Sequence, residues 1–207
     1  LHSTSRRQRQ MCIRDRFDIS KIDFDLLSRE FAYTRRKNLL LRDLDELVNQ
    51  QLSKMLFANP QRIDYYDRYQ EIIDAYNAEQ NRATIEKTFM DLMELASSLD
   101  TEQQRYVREG FSSDEELSVY DLLFSENLTK QEIETIKKVS VDLLTKIKQQ
   151  IAKLDHWTDK QETKAIVDNL IRNTLWQELP NSYDVSDIQT YQKKIYEYVY
   201  MRYPEVA

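Results

Sequence analysis

One glycine, three prolines and one cysteine stand in a chain of 207 residues. Each scarcity excludes something. Sheets need tight turns, and tight turns need Gly, Pro, Asn or Asp at special backbone angles. A chain almost without Gly, dense in Leu, Ile, Glu, Lys, Gln and Arg, is expected to be helical throughout. A phosphate-cradling loop needs several glycines, so Gly110 alone builds none. Cys12 is the single thiol, which leaves no intrachain disulfide and no thiolate zinc site. His2 and His156 are too few for a histidine zinc triad, and a Ser/His/Asp or Cys/His site would rest on His156. His156, beside Trp157, reads better as a packed or capping residue. No apolar run approaches the roughly 20 residues that cross a bilayer.

What is present is enough for one domain with a real core, or for two: 41% hydrophobic and 32% charged residues over 207 positions. The first sixteen residues stand apart. They hold five arginines and almost no apolar face, so they lack the apolar centre of a signal peptide. Met11-Cys-Ile-Arg-Asp-Arg16 matches the translation of a sequencing adapter, and a disordered basic arm is the alternative. Residues 1–16 are therefore set aside as an adapter-derived or disordered tail, and 17–207 as the helical domain. Without the tail's five arginines and one aspartate, the acidic excess grows from six to ten. An acidic body does not attract DNA phosphates over its whole surface. The absence of further cysteine and of a membrane span fits the cytoplasm.

Helical spacing organises the remainder into a single all-α domain of about seven or eight helices, with no sheet. The clearest stretch is Asn59–Asn77. Pro60 suits a helix start, and Tyr65, Tyr69, Ile72 and Tyr76 recur every three or four residues. Before it, a helix capped by Asp23 leads to one capped by Thr34, with the stripe Leu41, Leu44, Val48, Leu52, Met55 and Leu56. After it, Thr84 opens a helix, and Thr101–Gln104, Ser113–Glu116 and Thr129–Glu132 each have the spacing of a capping box. Gly110 suits a left-handed helix end. Asp155–Thr158 breaks the chain, and Ser186 is the expected cap of the last helix. On that helix Ile188, Tyr191, Ile195, Tyr198 and Val199 form the core stripe. Tyr196, Tyr200 and Tyr203 form a second strip opposite it. Such rings can stack on bases, but without interleaved basic residues they read better as core or docking surface, and they are the candidates for docking a partner.

Two charged groups are weighed. Asp64, Asp67 and Glu71 share a face able to hold Mg²⁺, although a solvated acidic face explains them more simply. Arg35, Arg36, Lys37 and Arg42 form the best basic cluster and are candidate phosphate contacts.

Particular words then point to a family. Arg36-Lys-Asn38 with Asp43-Leu44, Asn59-Pro-Gln-Arg62-Ile-Asp-Tyr-Tyr66, Arg68-Tyr-Gln-Glu-Ile-Ile73 and Tyr76-Asn77 follow in order. Glu115-Glu-Leu117, Tyr120-Asp-Leu-Leu123, Leu128-Thr129, Trp157, Lys160-Gln161, Leu179-Pro180 and Tyr183 complete them. From about Phe17 to Tyr203 the chain resembles the C-terminal helical part of the R subunit of type I restriction-modification enzymes. The resemblance implies a full subunit with a metal-dependent nuclease and two ATP-driven motor domains. It also implies that the helical region joins the subunit to the methyltransferase and specificity core. ATP and Mg²⁺ then belong to domains this chain lacks, as does most DNA contact, and no catalytic or cofactor-binding residue carries over. The alternative is a free-standing helical nucleic-acid-binding or protein-interaction module.

Overall fold

Short joins link helix to helix in the computed structural model, which describes residues 22–79 and 81–204. The expectations for residues 1–16 lie outside that range. The helices are α1 (Phe24–Tyr33), α2 (Lys37–Ala58), α3 (Ile63–Ala78), α4 (Arg82–Gln103), α5 (Arg105–Arg108), α6 (Asp114–Leu123), α7 (Lys130–Ile151), α8 (Gln161–Glu178) and α9 (Val185–Arg202). A 3₁₀ turn, Pro60–Arg62, joins α2 to α3. The described residues thus hold nine α-helices and no strand, as an all-α fold requires. The one-turn helix α5, separated from α4 by Gln104, takes the count past seven or eight.

The chain divides into two compact units, one ending at Arg105 and the other beginning at Tyr106. Each has its own core. In the first, α2 and α3 pack on α4. Leu41, Leu44, Val48, Leu52 and Met55 meet Phe89, Leu92, Leu95, Ala96 and Leu99, and Leu56 is half-buried. Phe31 stacks on Phe89 with ring centroids 3.7 Å apart. Of the tyrosine stripe on α3, Tyr69 and Ile72 are buried, whereas Tyr65 and Tyr76 flank the core half-buried. Tyr69 keeps its hydroxyl satisfied by donating to Asp45 at 2.8 Å. In the second unit, α6, α7, α8 and α9 enclose Leu117, Leu123, Ile136, Leu143, Ile147, Val167, Ile171, Leu175, Ile195 and Val199.

Helix ends test the cap signals. Asp23 caps α1 by accepting from the Leu26 amide at 2.9 Å. Thr129 and Glu132 form the expected reciprocal box at the start of α7. Ser113 accepts from the Glu116 amide, and the Glu116 carboxylate accepts from Ser112 rather than Ser113. Four expected helix starts fall elsewhere. Thr34 closes α1 and accepts from the Arg36 amide, so α2 begins at Lys37 with no side-chain cap. Asn81, not Thr84, caps α4. Thr101 lies inside α4, its hydroxyl donating to the Ser97 carbonyl. At α9, Asp184 and Asp187 form the box in place of Ser186. Gly110 has the expected left-handed backbone, φ +83°.

Candidate docking surface

Trp157 sets the surroundings of the C-terminal tyrosines. The turn between α7 and α8 puts His156 at φ 45°, a left-handed angle that His tolerates better than most residues. His156 is thus exposed turn residue rather than packed side chain, and Trp157 beside it is buried. The indole N–H donates to the Tyr203 carbonyl at 2.6 Å, and the Thr158 hydroxyl donates to the Pro204 carbonyl at 3.3 Å. The turn therefore clasps the end of α9.

The clasp uses the tyrosine strip. Trp157 meets Tyr196 and Tyr200 edge-on at 6.3 and 5.7 Å, and those two rings stack at 6.2 Å. Such pairs contribute about 0.5–1.5 kcal/mol each beyond area burial. Tyr196 and Tyr203 are half-buried against the unit's own core, and Tyr200 is 39% exposed. The strip thus lies beside the Ile188–Val199 stripe and not opposite it. One residue of helix turns only about 100°, so Tyr196 sits next to Ile195 rather than behind it. Lys164 lies over the Tyr200 ring at 5.6 Å, and Lys148 over Tyr203 at 5.4 Å.

Charges close the lower side. Glu115 on α6 pairs with Lys148 and, at 3.7 Å, with Arg202. Burial alone would raise the Glu115 carboxyl, but the hydrogen bond from Lys148 and the nearby Lys148 and Arg202 charges leave it below the usual value. Burial pushes the Tyr203 and Tyr196 hydroxyls up, and Glu115 and Asp168 respectively add to this.

The basic candidates separate. Arg35, Arg36 and Arg42 are exposed, with Arg42 3.4 Å from Asp43. Lys37 instead turns inward, paired with Glu86 at 2.5 Å and set over Phe31 at 4.9 Å. Asp64, Asp67 and Glu71 are all exposed. Among the described residues, no group of three or more His, Cys, Asp or Glu is placed to hold a metal ion.

A buried charge cluster escaped sequence reading. Arg62 donates to Glu102 at 3.0 Å with side chains 3% and 8% exposed, and Arg105 donates to the same oxygen at 2.8 Å. Burial raises the Tyr65 hydroxyl, and the Glu102 charge adds to it. Asn59, fully buried, accepts from the Gln61 amide and shapes the turn that delivers Arg62.

These features define an all-helical protein of two cores, with an aromatic clasp in one and a buried ion pair in the other. Residues 10–203 match the family described as type I restriction enzyme HindI endonuclease subunit-like, C-terminal, and the chain belongs to that family. The match opens at residue 10, inside the segment set aside as a tail. No curated protein and no solved structure matches the chain. No described helix is long and apolar enough to cross a membrane.

Proposed function

We propose that this region is a non-catalytic docking domain of a type I restriction endonuclease R subunit. It joins the ATP-dependent motor and nuclease to the methyltransferase–specificity core, so that unmodified foreign DNA is cut. The observation that carries this reading is the family match over residues 10–203. The chemistry of the tyrosine clasp supports it, since Tyr favours protein interfaces and offers neither nucleophile nor base near neutral pH. ATP and Mg²⁺ act in the motor and nuclease parts of the subunit, and the complex works in the cytoplasm. Tyr200, at the open edge of the clasp, is the first docking candidate, with Tyr196 and Tyr203 beside it. In the first unit, by itself, Arg35, Arg36 and Arg42 are the candidate phosphate contacts.

A pull-down against the methyltransferase–specificity complex tests the proposal. The chain is expected to be retained. Tyr200→Ala is expected to weaken retention by about 2 kcal/mol if it is a hot spot, with circular dichroism unchanged. Ile195→Asp, at a fully buried position, is expected to lose helicity and binding together. Failure of the folded chain to bind overturns the docking role.

A further inference from the structure

We propose that the outward face of α8 pairs antiparallel with the same face of a second copy of this chain. The inference stands apart from the docking role. On α8, Val167, Ile171, Thr174 and Leu175 are buried in the core of the second unit. The other side carries Glu162, Ile166, Asn169, Asn173 and Trp176, all exposed and spaced alternately by four and three residues. That alternation is the seam of a helix pair. Ile166 is 42% and Trp176 48% exposed.

A solvated helix face normally carries charge. The neighbouring α7 does so, with exposed Lys130, Glu134, Lys138, Asp142 and Lys148. On α8, from Ala165 to Gln177, Arg172 is the single exposed charge. An exposed tryptophan within such a strip marks a contact surface.

Self-complementarity selects the occupant. A two-fold axis at the level of Ile171 sets Ile166 against Trp176 of the second copy, and Trp176 against its Ile166. The same axis sets Asn169 against Asn173 twice, so amide meets amide and apolar meets apolar, as an isologous interface requires. A wholly apolar helix from another protein would leave both amides without partners, a costly arrangement once buried. A parallel pair would set Trp176 against Trp176 and Ile166 against Ile166, mismatching bulk along the seam. Central asparagines also fix register in helix pairs. The seam spans only about four turns of one helix, so the dimer is expected to be weak and concentration-dependent.

The test uses full chains in which Cys12→Ser leaves the engineered position as the sole thiol. Chains carrying Asn169→Cys are mixed with chains carrying Asn173→Cys and oxidised mildly. The expected result is a 169–173 heterodisulfide in clear excess over both homodisulfides, lost on adding Trp176→Asp. Circular dichroism verifies that Trp176→Asp, at an exposed site, keeps its helicity. Sedimentation of the unaltered chain is expected to show a monomer–dimer equilibrium. Disulfides in statistical proportions, a heterodisulfide indifferent to Trp176→Asp, or a monomer at every concentration would each overturn the proposal.

Discussion

The first unit buries a charge pair where the second buries an indole. Arg62 and Glu102 close the turn after α2 onto the end of α4. Trp157 closes the turn after α7 onto the end of α9. Both link residues distant in sequence, but they fail differently. An ion pair out of water is safe only while both partners remain, because one charge left alone keeps its full desolvation penalty. An indole combines apolar area with one N–H donor, so its loss is graded.

Three variants break the comparison. Glu102→Ala removes the buried carboxylate to which Arg62 and Arg105 both donate and is expected to destabilise the first unit by about 3–5 kcal/mol. Adding Arg62→Met to Glu102→Leu is expected to recover most of that loss, because no buried charge remains. Hydrogen exchange of α2 to α4 against α6 to α9 checks that the effect stays in the first unit. Trp157→Phe keeps a ring but leaves the Tyr203 carbonyl without its donor, for an expected cost of about 1–3 kcal/mol in the second unit. Its readout is chemical denaturation followed by circular dichroism.

Alkali sharpens the comparison further. Tyr183, Tyr191, Tyr196, Tyr198 and Tyr203 in the second unit are all raised by burial from an ordinary value of 10.0, against Tyr65 and Tyr69 in the first. A hydroxyl that holds its proton more tightly when folded contributes stability in full below pH about 10. That stability falls as pH rises through the higher folded values. The second unit is therefore expected to open first in alkali. Both tryptophans, Trp157 and Trp176, lie in that unit, so their fluorescence should change before the loss of total helicity is half complete. Coincident transitions would show that the tyrosines do not distinguish the units.

The parts legible in sequence are those fixed by neighbours three or four residues apart. The stripe from Leu41 to Met55, the Thr129 box and the Ile188–Val199 face required nothing further. Thr101 shows the limit. Its spacing to Gln104 imitates a cap, but a cap forms only where the chain changes direction, and α4 continues through it. Tyr196 lies about 100° round the helix from Ile195, so its half-buried place beside the core stripe follows from helix geometry. Its ring contact with Trp157, which lies in a turn without periodicity, does not. Arg62 and Glu102 stand 40 residues apart, and no local pattern connects them. Membership of the family was legible from ordered words such as Asn59-Pro-Gln-Arg62, whose Asn and Arg prove to be buried.

Competition measures the docking role most directly. Excess chain is added to the complete cognate type I enzyme, and ATP-dependent cleavage is followed beside methylation of the same DNA. If the chain occupies the site at which the R subunit joins the core, cleavage falls as the chain is titrated and methylation continues unchanged. Cleavage that persists at saturating chain, or methylation that falls in step with it, would contradict the account.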